Sequence, residues 1–327
     1  MAAKINYLKK DFIKILSNYK LGEFVSSKPF AAGKVQTNIL LQTTKGKFVF
    51  KFYENRSIKS VLFECNLIKY LKAKNYPCPG PFKNKQGKLV GTFIEKPFVV
   101  FEFIEGRHIK NPNENQKREL IKRAAELHNI TASYKPQYKN YRWNYSVELC
   151  KELAGKKAQK LNTKNARRKL MWLEDELSKL KLPKSLPKGV CHCDFHFSNV
   201  LFVNNKFNAL IDFDDANYTF LIFDLAGLIN PFNKSFEWDT WEKFKKDGNI
   251  FDFKEARIIV SEYMKCRTLS ITEKKHLFDV FKLGILFDSV WYFLRGNVDD
   301  FYEKRKVAYL NTLGRSKFYN ALFEVNT

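Results

Sequence analysis

The period at which apolar residues recur changes along the chain and outlines its elements. After a short helical pattern over Lys9–Asn18, an extended stretch from Leu21 leads into the turn AAGKVQTN, Ala31–Asn38. ILLQTT and KFVFKFYE follow, separated by a Lys-Gly turn, and predict a β-hairpin. From Ile58 to Lys74 the residues Val61, Leu62, Cys65, Ile68 and Leu71 recur at helical spacing, which predicts an amphipathic helix stopped by PCPGP. Strand-like runs over Lys88–Ile94 and Pro97–Ile104 close this part. Beyond Glu105-Gly106 helical patterns cover Asn113–Ser133, Trp143–Leu161 and Ala166–Leu180, the last ended by PKSLPKG. Short strands over 200–203 and 208–212 interrupt them, and helical patterns resume from Phe220, with breaks near Pro231, Gly248 and Gly296. The pattern predicts an α+β protein with a small β-rich lobe, residues 1–103, and a larger, mainly helical lobe, residues 104–327.

The predicted strands 200–203 and 208–212 frame the residues that carry chemistry. CHCDFHFSNVLF sets His192, Asp194, His196 and Asn199 on a short connection before one apolar run, and ALIDFDDA sets Asp212 at the end of the next. A carboxylate, an amide and a second carboxylate gathered at one mouth suit phosphoryl transfer: one faces an attacking hydroxyl and two give hard oxygen ligands to Mg²⁺. Lys51 lies mid-strand between apolar neighbours, where a charge is costly unless it is paired or meets a ligand. The alternative for Lys51 is a solvent-facing position on an alternating strand.

In its order of Gly-containing turn, strand Lys, helix Glu, hinge, H-x-D-x-H-x-x-N and I-D-F, the chain resembles the aminoglycoside phosphotransferase and choline kinase superfamily. That group is the small-molecule branch of the protein-kinase-like fold, and the resemblance runs from about Ala31 to Ile229. It implies a two-lobe kinase using ATP and Mg²⁺. Asp194 is then the catalytic carboxylate, and Asn199 and Asp212 the metal ligands. Lys51 meets the nucleotide phosphates and pairs with Glu64, which is favoured over the nearby Glu54 because it falls mid-helix. The turn with Gly33 covers the phosphates, with Thr37 or Asn38 as a donor, and the hinge offers adenine the backbone of Glu102 to Ile104. His192 braces the loop and Asp224 receives its amides. His196 reaches phosphate or metal, or else holds the loop. Asp214 and Asp215 complete a cation-binding wall, or Asp215 caps a helix after it.

Composition narrows the partners. With 58 Lys and Arg against 34 Asp and Glu the net charge is +24, which favours polyanions or nucleotide phosphates. The basic residues are spread over the whole chain, so a nucleic-acid partner is not expected. A non-catalytic kinase-like protein binding nucleic acid is the reading of another class, and it gives no reason to keep Lys51, Asp194, Asn199 and Asp212 together. A protein kinase is disfavoured because no long activation segment fits between Asp212 and Asp224. The longest apolar run, Phe278–Leu294, carries Lys282 and Asp288, so no membrane span is expected. The scattered six cysteines and the absence of a secretory apolar core near the first residues predict a cytoplasmic location. Cys191-His192-Cys193 does not predict zinc, because alternate residues of an extended segment face opposite ways and no second ligand pair follows.

For the acceptor, a small-molecule hydroxyl, three stretches resemble the homoserine kinase branch: GKVQTNILLQTTKGKFVFKFYE, YPCPGPFKNKQGKLVGTFIEKPFVVFEFIEG and IDFDDANYTFLIFDLAGLIN. They imply phosphorylation of homoserine. Two features depart from that branch: Pro231-Phe232 after Asn230, and apolar residues along FKLGILFDSVWYFLR where a carboxylate-binding Arg is expected, Arg295 coming later. The alternatives are an aminoglycoside, met by Asp214, Asp215, Glu237, Asp239, Asp299 and Asp300, and choline or ethanolamine, met by Trp238, Trp241, Trp291 and Tyr292.

Overall fold

The computed structural model describes residues 8–30, 35–229 and 253–324. The chain divides into two compact units: one holds residues up to Pro112 with Lys135–Arg142 and Phe197–Ala216, the other Asn113–Tyr134, Trp143–His196 and the chain from Asn217 onward.

In the first unit, strands β1 (Phe24–Pro29), β2 (Thr37–Thr43), β3 (Gly46–Phe52), β4 (Gly91–Phe93) and β5 (Lys96–Glu102) form one antiparallel sheet of order β1-β2-β3-β5-β4. Period-2 alternation decides what each face carries. Phe48, Phe50 and Phe52 of β3 join Ile39, Leu41, Phe98 and Val100 in a core closed by Phe12, Ile15 and Leu16 of helix α1 (Lys9–Leu16). Lys51, between two of those phenylalanines, turns to the other face and meets helix α2 (Ile58–Ala73). Ser57 caps α2 by accepting the Ser60 N–H.

The predicted β2–β3 hairpin and α2 are present, while other elements shift for local reasons. The run over 88–94 yields only Gly91–Phe93 as strand, because Asn84 Oδ1 accepts the N–H groups of Gln86 and Lys88 and holds a turn just before it. The hairpin of β7 (Val200–Val203) and β8 (Lys206–Leu210) is tied to the hinge by reciprocal main-chain bonds of 3.0 Å between Arg107 and Phe202. That approach requires Gly106, since a Cβ there would come within 2.9 Å of Leu201.

The second unit is helical: α3 (Glu114–Thr131), α4 (Val147–Leu161), α5 (Lys164–Ser178), α6 (Phe223–Leu228), α7 (Phe253–Met264), α8 (Ile271–Trp291) and α9 (Tyr302–Phe323), with the two-stranded ribbon β6 (Lys188–Cys191) and β9 (Asn217–Phe220). Helix α4 begins four residues later than its apolar pattern because Ser146 accepts the Leu149 N–H and fixes the start. Extended backbone over Asn217–Phe220 pairs with β6, so the helix foreseen from Phe220 starts at Phe223. No helix among the described residues is long and apolar enough to cross a membrane.

Candidate active site

In the first unit Lys51 Nζ stands 3.1 Å from Glu64 Oε1 and 2.8 Å from Asp212 Oδ1. Lys51 and Glu64 are buried, whereas the Asp212 side chain is 45% exposed, so the ammonium is held from within and reachable through Asp212. Burial works against the ammonium, but the charges of Asp212, Glu64 and Asp214 outweigh it and hold the Lys51 pKa above its ordinary value. Glu54 is engaged elsewhere, by Thr37 Oγ1 at 3.0 Å and Lys96 at 3.3 Å. Asn38 lies directly opposite Lys51 across β2–β3, on the same face of the sheet. Gly33 lies outside the described residues. At the hinge, the Glu102 N–H donates to Gly80 O, and its carboxylate accepts from Gly80 N–H at 2.9 Å and meets Lys72. β5 ends there, and Ile104 follows in irregular chain.

The β7–β8 hairpin sets Asn199 and Asp212 side by side. Val200 pairs with Leu210, and the Ile211 N–H donates to Asn199 O at 2.8 Å. Asp212 takes a left-handed backbone, φ 62° and ψ 68°, a costly conformation for a residue with a side chain that persists where its surroundings over-determine it.

The surroundings of Asp212 are a network of buried charges and amides. Asp214 accepts from Arg56 Nε at 3.0 Å and Nη2 at 3.1 Å, and from Gln36 Nε2 at 3.0 Å. Gln36 in turn accepts the Glu54 N–H at 2.7 Å. Arg56 also reaches Asp215 at 3.0 Å. Arg142, itself buried, donates to Ala216 O at 2.9 Å, to Asp214 O, and to Ser60 Oγ on α2 at 3.0 Å. Burial alone would raise the Asp214 pKa, but Lys51 and Arg56 bring it down to about 2. Asp214 is therefore committed to Arg56 and Gln36, and extended chain rather than a helix follows Asp215.

The second unit holds the loop that bears Asp194. Asp224 accepts the N–H groups of His192 at 2.8 Å and Cys193 at 2.7 Å, and meets His128 Nε2 at 2.9 Å. Burial opposes the Asp224 charge, yet these bonds and the nearby imidazoles keep its pKa below the ordinary carboxylate value. His128 Nδ1 meets the Tyr263 hydroxyl at 2.6 Å. Although His128, Cys191 and Asp224 lie close enough for a metal, both imidazole nitrogens are thus engaged. The His192 ring is fully buried and packs edge-on to Phe195. Asp194 and His196 are partly exposed, with His196 Nε2 2.9 Å from Asp194 Oδ1. The Asp194 side chain is 41% exposed.

Sequence reading missed Gln36, Arg56, Arg142, His128 and Tyr263. None sits at a recurring spacing, and each works through a partner far along the chain, so no local signal announces it. Of the acidic and aromatic residues considered for other acceptors, Glu237, Trp238, Asp239 and Trp241 lie outside the described residues, as do Pro231 and Phe232. Asp299 pairs with Arg168 and Asp300 with Arg305.

Comparison with known proteins bears on the family and the fold. The profile of the phosphotransferase enzyme family (APH) matches residues 26–257. The chain is 30% identical over 278 residues to a homoserine kinase of Rhodopseudomonas palustris, covering 85% of this chain and 81% of that one. To a homoserine kinase of Sinorhizobium medicae it is 28% identical over 286 residues, covering 85% and 81%. Among solved structures it is similar to the amicoumacin kinase hAmiN (TM-score 0.62, 16% identity, 96% and 94% covered). It is also similar to a microcompartment-associated aminopropanol kinase (TM-score 0.61, 13% identity, 95% and 94% covered). The α+β, protein-kinase-like fold expected from the sequence is therefore the fold of this chain. The chain belongs to the phosphotransferase enzyme family and is a kinase that phosphorylates a hydroxyl of a small molecule.

Proposed function

We propose that this kinase transfers the γ-phosphate of ATP to the side-chain hydroxyl of homoserine, in a reaction that depends on Mg²⁺. The chemistry is carried by one observation above all: a buried lysine bridging a helix glutamate and the exposed Asp212. The acceptor is carried by the likeness over 85% of the chain to proteins named homoserine kinase.

Asp194 takes the hydroxyl proton as the hydroxyl oxygen bonds to the γ-phosphorus and the bond to the β–γ bridging oxygen breaks, giving ADP and the phosphate ester. His196, 2.9 Å from the Asp194 carboxylate, orients it. Lys51, released from Asp212, neutralises the α- and β-phosphates, so positioning and electrostatics supply most of the rate. Asn199 and Asp212, hard oxygen donors joined at one end of a hairpin, fit Mg²⁺. Asn199 and Asp212 would hold the ion, which would neutralise phosphate charge. The turn with Gly33, and Asn38 beside it, would lie over the phosphates, and main-chain groups of Glu102 and Ile104 would face the base. Residues 1–103 are assigned to the nucleotide, and 104–327 to the catalytic loop and the acceptor.

The test is acceptor-dependent ADP release from Mg-ATP, with homoserine, choline, ethanolamine, 3-aminopropan-1-ol and several aminoglycosides offered singly. Homoserine should stimulate most strongly. Stimulation by another acceptor with none by homoserine would overturn the substrate and keep the kinase.

A further inference from the structure

Behind the loop that bears Asp194, buried polar side chains follow one another through the helical unit. Asp224 on α6 holds the loop: its Oδ1 accepts the Cys193 N–H at 2.7 Å and its Oδ2 the His192 N–H at 2.8 Å. His128 on α3 meets the same Oδ2 through Nε2 at 2.9 Å, and Tyr263 on α7 meets His128 Nδ1 at 2.6 Å. Arg267, just past the end of α7, gives Nη1 to the Tyr263 hydroxyl at 3.4 Å and Nη2 to Glu273 Oε1 at 2.6 Å. Glu273 ends the series by accepting the Ser270 N–H at 2.9 Å in the capping box of α8. Asp224, His128, Tyr263, Arg267 and Glu273 are all buried.

The donors and acceptors decide which way the protons run. A guanidinium donates and cannot accept, so the Tyr263 oxygen accepts from Arg267 and its own proton goes to another group. Among the described residues, His128 Nδ1 is the acceptor it meets. Nδ1 therefore presents a lone pair, and the ring proton stands on Nε2, where Asp224 accepts it. Burial pushes the Tyr263 pKa up, so the phenol keeps the proton that it donates. A proton on Nδ1 would instead leave the Tyr263 proton buried without that acceptor, which is costly.

The series supports a strained turn. Cys193 takes a left-handed backbone, φ 64°, a conformation that a residue with a side chain keeps where its surroundings impose it. The preceding strand β6 is secured by its ladder with β9 and by Thr131 Oγ1, which donates to Val190 O at 2.7 Å. Beyond β6 the carboxylate of Asp224 takes over, and Asp194 directly follows Cys193. With the far side of the His128 ring unanchored, the ring turns more freely, Asp224 grips the two amides less firmly, and Asp194 shifts.

We propose that Tyr263, backed by Arg267, is a positioning residue for phosphoryl transfer: its hydroxyl donates to His128 Nδ1, keeps the Nε2 proton on Asp224, and so steadies the loop that presents Asp194. This rests on Asp194 being the catalytic carboxylate, and it holds for whichever hydroxyl compound is the acceptor.

The test is a double-mutant cycle of Asp194→Asn with Tyr263→Phe, which removes one oxygen and keeps the ring. Transfer of γ-labelled phosphate from ATP is followed on homoserine or, if wild type turns over another compound of the acceptor panel faster, on that compound. Urea unfolding shows that each variant folds. Tyr263→Phe should lower kcat about tenfold, within the loss that a misplaced catalytic group produces, and leave the KM of ATP and of the acceptor unchanged. In the Asp194→Asn background the same substitution should lower the rate no further, because the group it places is gone. An unchanged kcat, or equal losses in both backgrounds, would overturn the proposal and leave Asp194 in its role. A near-normal rate for Asp194→Asn alone would overturn the role of Asp194 and the positioning with it. Nitrogen NMR of the His128 ring gives a readout that needs no turnover. Wild type should show a proton on Nε2 and a hydrogen-bonded lone pair on Nδ1, and Tyr263→Phe should move Nδ1 to the shift of an unbonded nitrogen. A wild-type ring protonated at Nδ1, or an Nδ1 shift that the substitution leaves in place, would overturn the proposal. Should Tyr263→Phe fail to fold, Arg267→Lys takes its place in the cycle: it keeps a counter-charge for Glu273 but lacks the fork that also reaches the hydroxyl.

Discussion

At the scale of single residues the site depends on which charges are open and which are buried. Asp194 is partly exposed and meets the His196 imidazole, so Asp194→Asn should lower kcat by about 10²- to 10⁴-fold, the range for losing a general base, with the KM of ATP little changed. Steady-state kinetics decides this, and near-normal kcat would remove Asp194 from its role. Asp214 is the opposite case, buried and paired, its pKa lowered from 3.8 to about 2. A carboxyl whose folded pKa lies below its unfolded one stabilises the fold fully above the unfolded value and loses that contribution as pH falls toward the folded one. Asp214 should therefore give roughly 2 kcal/mol at neutral pH that disappears between about pH 4 and pH 2. Urea unfolding across that interval should show a shallower acid loss in Asp214→Asn than in wild type, and equal slopes would contradict the pairing. The candidate reactive residues could be picked out because they are packed into two short stretches, 191–202 and 209–216. Their supports were not: Arg142 and His128 find their partners 72 and 96 residues along the chain, and nothing in YRWN or AELHN signals those partners.

At the scale of elements, alternation and helical spacing sufficed wherever one face of a segment is buried. The β2–β3 register puts Lys51 opposite Asn38, and it follows from the Phe48, Phe50, Phe52 stripe, because a slip of one residue would expose that stripe to water. Boundaries were harder, since they are set by individual hydrogen bonds: Ser146 starts α4, and Asn84 shortens the approach to β4. The linkage of α2 to the Asp212 segment through Arg142 joins elements distant in sequence. Arg142→Ala should leave Ala216 O and Ser60 Oγ short of a donor, while Asp214 O keeps Arg56 Nη2 at 3.0 Å, and cost about 2–4 kcal/mol, with weaker Mg-ATP binding as Asp212 loses its support. Arg142→Lys should recover little, because one ammonium cannot reproduce a planar fork of donors. Full rescue by lysine, read in unfolding and in the KM of ATP, would contradict this.

At the scale of the whole molecule, the net charge of +24 acts on encounter more than on the fold. Attraction of the ATP anion should make kcat/KM for ATP fall several-fold between low salt and about 0.5 M, with kcat changing less, because exposed charges are screened at that ionic strength. A salt-independent kcat/KM would show that the basic residues are too evenly spread to steer the nucleotide. The family and the fold were legible because an ordered set of motifs spans most of the chain. The acceptor was less so, because no motif in the sequence marks the charges that would recognise it. The most direct test of the central claim follows phosphate labelled at the γ-position of ATP into product, with wild type and Asp194→Asn run side by side on homoserine. The account predicts label in O-phosphohomoserine with wild type and at least a hundredfold less with the variant. Label released only as inorganic phosphate, or transferred equally well by the variant, would contradict it.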